Sequence, residues 1–341
     1  MRLLLPFPRS RLWLVILVFI FQGCAVGQQS PEEVLIREPG SRTYNDPIST
    51  ASIAKELLTY AVISAAAYDS SSAILQEAAA KGETTKPRGT RMPASTAAAQ
   101  QERDCDWIDG TLPNPSGWVR WDFPDKASQT RAANLGLSLG VWESMEGPKE
   151  VAVVFRGTDF ESWRDWISNL RWILWITRFI PWYEDQYTEV SRRVGGEFVA
   201  ALKAKSRQWT DEQRRTLRIF SAVHSLGGGL AQHFAYAYPY GGPWKVSSVY
   251  AFDPSPVTGW FSVDKGLREH NATGLRIDRV FEHGELLAYF LLLVGYLISP
   301  SAANPAIRQI RFNYVQTLNP IASHSMPGLA CALARDAEMR P

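Results

Sequence analysis

The segment from Ser221 to Gln232 constrains the fold of this chain more than any other feature. It follows the apolar run Leu217–Phe220, which predicts a buried strand, and it leads into Leu230–Tyr238, which predicts a helix. Between them lie three consecutive glycines, which let a strand and a helix approach each other closely. The chain is therefore expected to contain a strand, a tight turn and a helix, with Ser225 on the turn.

A serine on such a turn has a chemical use. In the α/β-hydrolase fold it exposes a nucleophilic Oγ at the edge of the sheet, and the N-terminus of the following helix directs partial positive charge at the site. Gly227 occupies the last position of the usual Gly-x-Ser-x-Gly pattern, but Val223 stands in place of the first glycine. The alternative interpretation is a glycine-rich helix entry with an inert serine.

A second motif precedes the first by one strand–helix unit. Val151–Phe155 is a continuous apolar run, typical of a strand buried on both faces, and a polar turn from Arg156 to Asp159 follows it. Acyl transfer requires two N–H donors for the oxyanion, one after the nucleophile and one from an earlier strand-to-helix loop. Leu226 and Thr158 occupy these two positions, although an ordinary turn at Thr158 is the alternative.

Together the two motifs resemble the class 3 lipases, the fungal-type triacylglycerol lipases of the α/β-hydrolase superfamily. The resemblance rests on Val-Val-Phe-Arg-Gly-Thr, then Asp-Trp…Asn-Leu, then His-Ser-Leu-Gly-Gly-Gly-Leu-Ala, and it covers about residues 130–330. It implies Ser225 as nucleophile, with Thr158 and Leu226 as the oxyanion-hole residues.

The general base is expected to be His324. The five histidines are His224, His233, His270, His283 and His324. α/β-Hydrolases place the histidine late in the chain, in the order serine, acid, histidine. His324 fits this order in a loop after the predicted strand Ile310–Val315, and a solvent-facing loop histidine is the alternative.

The acid has three candidates. Glu285 follows the predicted strand Ile277–Phe281, at the point where the resembled family carries its acid, and Gly284 allows the turn. Asp253 ends the strand before it and is the second choice, while Glu282 is the third. The acid holds the imidazole in the correct tautomer and stabilises its charged form.

Alternating strand and helix patterns predict a doubly wound, mostly parallel sheet with helices on both faces. The chain has 341 residues, of which 45% are hydrophobic and 21% charged, as is ordinary for a globular protein. Residues 49–341 are predicted to form one domain, with a surface insertion around 71–104. Helices are expected at Thr50–Tyr68 and from Tyr187 to Leu202, and a hairpin from Leu135 leads into the Val151 strand.

The N-terminus carries a predicted leader at residues 1–23. Three arginines precede the ten-residue apolar run Leu12–Phe21, which is too short to span a bilayer. Gly23 and Cys24 then resemble a lipobox, which predicts lipidation of Cys24 and a polar tether over 24–48; a simple cleaved signal is the alternative. Removing the leader takes away three arginines and no acid, so the formal net charge changes from +2 to −1.

The other cysteines, Cys105 and Cys331, are either bridged or free, and export permits a bridge. Cysteine and histidine spacing indicates no metal site, and no cofactor is expected. Two apolar stretches, Trp163–Trp182 and Glu285–Ile298, are either lipid-facing or buried helices. The charge balance implies no nucleic-acid partner.

The sequence therefore predicts an exported cell-envelope lipoprotein, anchored at the outer membrane or periplasmic face, that hydrolyses acyl or lipid esters. The alternative is a non-catalytic surface lipoprotein that retains the lipase fold.

Overall fold

The computed structural model describes residues 29–80, 117–125, 128–129, 138–156, 186–225, 227–239, 244–255, 258–283, 299–315 and 324–338. The described chain is an α/β structure with a nine-stranded mixed sheet in the order β2-β1-β9-β8-β7-β6-β5-β4-β3. The strands are β1 (Glu33–Arg37), β2 (Ile48–Ser49), β3 (Trp118–Arg120), β4 (Ser138–Ser144), β5 (Glu150–Arg156), β6 (Arg218–His224), β7 (Val246–Phe252), β8 (Arg276–Glu282) and β9 (Ala306–Phe312).

The centre of this sheet is parallel. Strands β5 to β9 pair in parallel, each with its sequence neighbour, so all five end at the same edge. The outer pairs, β1 with β2 and β9, and β4 with β3 and β5, are antiparallel. Because ligands of parallel sheets bind beyond the carboxyl ends of the strands, this edge is the place to look for a site.

Helices cover both faces, as the sequence predicts. They are α1 (Thr50–Ala80), α2 (Gln186–Glu189), α3 (Gly195–Ser206), α4 (Asp211–Thr216), α5 (Gly227–Ala237), α6 (Lys265–Ala272) and α7 (Met326–Glu338), and a π-helical turn, Val190–Val194, joins α2 to α3. Helices α1 and α7 pack together on one face, and α5 lies on the other. In the described part of the chain, no helix combines the length and apolarity needed to cross a bilayer.

Strand β5 illustrates how the sequence builds the two cores. Val151, Val153 and Phe155 point into the core beneath α5, while Ala152 and Val154 point into the core beneath α1 and α7. Successive side chains of a strand face opposite sides, so a strand covered on both sides needs an unbroken apolar run. The predicted strand at Val151–Phe155 and its hairpin with β4 are confirmed.

The prediction of a polar tether over residues 24–48 is wrong for residues 33–37. These residues instead form β1, which pairs antiparallel with β9, and Val34 and Ile36 are buried in the core beneath α1 and α7. Gln29 reinforces the pairing, because its side-chain amide donates to the backbone carbonyl of Arg311. The helix predicted at Thr50–Tyr68 extends to Ala80, so residues 71–80 of the predicted insertion are helical.

Candidate active site

Ser225 lies on the turn between β6 and α5, as predicted, and its backbone is unusual. Its φ is 64°, a left-handed conformation that L-residues with a side chain rarely adopt and that clusters at functional sites. Three backbone hydrogen bonds hold it there. The N–H of Ser225 donates to the carbonyl of Phe252 at 2.9 Å, and the carbonyl of Ser225 accepts from Gly228 at 2.8 Å and from Ser255 at 3.1 Å.

The glycine at position 228 permits this tight turn. A Cβ built there would lie 2.4 Å from the Cβ of Pro254 and 2.6 Å from its Cα. The first turn of α5 can therefore press against the loop after β7 only because Gly228 has no side chain. The sequence predicts that the glycines let a strand and a helix approach closely. Gly228 in addition lets α5 approach the loop after β7.

The Oγ of Ser225 is buried and has no hydrogen-bond partner among the described residues. A buried hydroxyl that makes no hydrogen bond costs free energy, and such groups mark strained or reactive positions. Ser221 in the preceding strand β6 differs in this respect, because its buried Oγ donates a hydrogen bond to the carbonyl of Val153 at 2.9 Å.

Asp253 lies at the end of β7, beside the serine turn. It is the second non-glycine residue with positive φ, 43°, in the described chain, and it is fully buried. Its backbone N–H donates to the carbonyl of Val280, and its Oδ1 accepts from the N–H of Glu282 at 2.8 Å. Strand β8 therefore fixes both the backbone and the carboxylate of Asp253.

His324 lies immediately before α7 and is 5% exposed, so it is not a solvent-facing loop residue. A ring nitrogen of His324, a carboxylate oxygen of Asp253 and a ring nitrogen of His224 lie within 4.8 Å of one another. Burial lowers the pKa of His324 below its ordinary value, although the charge of Asp253 acts to raise it. His324 is consequently neutral at neutral pH, the state that a general base requires.

His224 is the member of this group that sequence reasoning missed. The Nε2 of His224 lies 3.6 Å from Oδ2 of Asp253, and the ring centroids of His224 and His324 are 4.6 Å apart. Burial lowers the pKa of His224 well below its ordinary value; the nearby His324 lowers it further, and a hydrogen bond to the backbone of His324 opposes the shift. The available signal was its strand position, since His224 shares a face with Phe220 and Ala222, and so with α7.

The other candidates do not contribute a side chain to this group, or they lie outside the described residues. Glu282 is buried, and its Oε1 accepts from the N–H of Val315 at 2.9 Å. His233 is buried within α5 against Tyr187, and His283 follows β8, where burial and Arg311 lower its pKa to about 4. The predictions outside the described residues are Thr158, Leu226, Glu285, Cys24, Cys105, residues 81–104, Trp163–Trp182 and Glu285–Ile298.

The arrangement can perform two kinds of chemistry. A serine on a strained turn, at the sheet edge where a buried imidazole and a carboxylate lie close together, supplies the parts of a nucleophile, base and orienting acid. Two imidazoles and a carboxylate could also hold a divalent ion. Comparison with models of known families, and with curated proteins, finds no match.

Proposed function

We propose that this protein is a serine hydrolase of the α/β-hydrolase fold that cleaves carboxylic esters of acyl chains. The observation that carries the proposal is the left-handed Ser225 between β6 and α5, at the same sheet edge as Asp253, whose carboxylate lies close to a ring nitrogen of His324. Parallel strands β5 to β9 at the centre of the mixed sheet, with helices on both faces, support the fold assignment. Parts of two motifs that resemble those of class 3 lipases lie on described elements: Val153–Arg156 belong to β5, and His224, Ser225 and Gly227–Ala231 form the junction of β6 and α5.

The reaction proceeds through an acyl-enzyme intermediate. His324 takes the proton of Ser225 Oγ as the oxygen attacks the ester carbonyl, and it returns that proton to the departing alcohol. Water then attacks the acyl-enzyme with His324 again acting as the base, which releases the carboxylic acid and restores Ser225. From the resemblance, the backbone N–H groups of Thr158 and Leu226 hold the oxyanion in both steps.

We assign the acid to Asp253, which was the second choice from the sequence. Its carboxylate lies close to a ring nitrogen of His324, and the N–H of Glu282 donates a hydrogen bond that holds its Oδ1 in place. Glu285, the first choice, follows the next strand and remains the competing assignment.

Export and anchoring through Cys24 complete the proposal. Cys331 is disulfide-bonded, which supports an oxidising compartment. Diacylation of Cys24 would provide two acyl chains, enough for stable attachment to a membrane. The substrate is then an acyl or lipid ester at the envelope surface.

Turnover of a short-chain p-nitrophenyl ester by the purified protein tests the function. We expect hydrolysis by the wild type and none above background by Ser225→Ala. The control is Ser221→Ala, which removes a buried hydroxyl from the preceding strand β6 and should leave hydrolysis intact. Turnover is expected to persist in EDTA, because no step uses a metal. A folded wild type without turnover would favour the alternative, a non-catalytic lipoprotein, and turnover lost in EDTA would favour a metal site.

A further inference from the structure

We propose that His224 is a positioning residue for His324, an inference that rests on the proposed function. The ring of His224 holds the backbone of His324 from one side and stands beside the carboxylate of Asp253 on the other. It thereby ties the strand that carries the nucleophile to the segment that carries the base.

The first support is the direction in which His224 points. It is the last residue of β6, directly before Ser225, and its side chain lies on the face of the sheet that α7 covers. His324 lies two residues before the start of α7. The side chain of His224 is therefore placed where strand β6 and the start of α7 meet, and it is 3% exposed.

The second support is a direct bond to the base. A ring N–H of His224 donates to the backbone carbonyl of His324. Since Nε2 is the nitrogen that faces Asp253, at 3.6 Å from Oδ2, we assign this donation to Nδ1. The bond joins two residues that are 100 positions apart in sequence and fixes the height of the His324 backbone above the end of the sheet.

The third support concerns the ring nitrogen of His224 that faces the carboxylate of Asp253. A neutral imidazole carries one N–H, so when the His324 carbonyl takes it, Nε2 presents a lone pair to the carboxylate. A lone pair cannot donate a hydrogen bond to Asp253. The second imidazole therefore does not donate a hydrogen bond to the acid, and we assign that donation to the N–H of His324.

The experiment compares three substitutions at His224. His224→Asn keeps an N–H near the position of Nδ1, His224→Gln moves the amide toward the position of Nε2, and His224→Leu removes the donor at similar volume. Misplacing a catalytic group by about 1 Å costs up to about 100-fold in rate. We expect His224→Leu and His224→Gln to lower kcat by about 10- to 100-fold with KM within about twofold, and His224→Asn to recover most of that loss.

His233→Leu is the matched control, since His233 is an equally buried histidine in the adjacent helix and lies apart from this group. It should cost thermal stability but leave kcat per folded molecule near that of the wild type. Wild-type kcat in His224→Leu, or equal losses in the Asn and Gln variants, would overturn the inference. If His224→Leu does not fold, the Asn and Gln pair decides. A wild type that neither turns over ester nor reacts at Ser225 would instead overturn the proposed function itself.

Discussion

Two residues of the described chain, Ser225 and Asp253, combine a side chain with a positive φ, and both end neighbouring strands at the same edge. Such conformations persist only where the surroundings hold them, and here backbone hydrogen bonds from β7 and β8 do so. The strain is thus placed at the two positions to which the proposed chemistry assigns the nucleophile and the acid. Both assignments can be tested one residue at a time.

The acid is tested by neutralising each candidate carboxylate. We expect Asp253→Asn to lower kcat by up to about 10⁴-fold, because the imidazole would lose the group that orients it and stabilises its charge. Glu285→Gln should cost much less. The measurement is kcat for a p-nitrophenyl ester, with circular dichroism to establish folding. The reverse order of effects would move the acid to Glu285, as the sequence alone predicted.

Individual candidate residues can be recognised in the sequence more easily than which of them lie close together in the fold. The turn at Ser225 is a local pattern, and the structure shows that turn between β6 and α5. The late position of His324 is equally easy to read from the sequence. The choice of acid could not be made in the same way. Asp253 follows β7, Glu282 is the last residue of β8, and Glu285 comes three residues later in the sequence. The choice among them depends on contacts with the His324 segment, which is far away in sequence.

At the scale of single elements, the contact between α5 and the loop after β7 determines the geometry of the site. Gly228→Ala would press a methyl group against Pro254, next to Asp253. Overpacking of this kind costs about 1–3 kcal/mol of stability. We expect a lower free energy of unfolding in urea, together with a loss of kcat. Gly196→Ala is the control, since a Cβ there meets nothing within 4 Å. Equal stability of the two variants would contradict this packing.

The β4–β5 hairpin carries a buried charge whose effect depends on pH. Glu143 pairs with Lys149 and accepts a hydrogen bond at 2.8 Å from each indole N–H of Trp121 and Trp209. Burial alone would raise the pKa of Glu143, but the bonds from Lys149 and the two indoles, with the charge of Lys149, lower it.

A carboxyl group with a lowered pKa stabilises the fold above its unfolded pKa, and this stabilisation is lost as the pH falls through the folded value. Glu143→Gln should therefore be less stable than the wild type at neutral pH, and the difference should shrink in acid. Urea unfolding at a series of pH values measures it. A difference that stays constant with pH would show that the charge of Glu143 contributes nothing.

Element prediction fails where pairing is non-local. The apolar runs that become β5, β6 and β7 are recognisable because both faces are covered. Strand β1 is five residues long and follows a polar segment, and only its pairing with β9, more than 270 residues later, distinguishes it from a tether. No local pattern carries that information.

At the scale of the whole molecule, the roles of the three cysteines depend on one another, because a lipidated cysteine cannot also form a disulfide. Cys331 is buried in α7 and disulfide-bonded, and the two other cysteines, Cys24 and Cys105, lie outside the described residues. If Cys24 carries lipid, as proposed, the partner of Cys331 is Cys105. Mass spectrometry of the mature protein should find a lipidated Cys24 and a Cys105–Cys331 peptide. A Cys24–Cys331 peptide would contradict the lipid anchor.

Ser225 is the proposed nucleophile, and covalent labelling gives a direct test of its reactivity. A fluorophosphonate reacts only with an activated serine, and peptide mass spectrometry locates the adduct. We expect one adduct, on Ser225, that is absent from Ser225→Ala and formed at the wild-type rate in Ser221→Ala. A folded wild-type protein that carries no adduct, or carries it on another serine, would show that Ser225 is not the nucleophile.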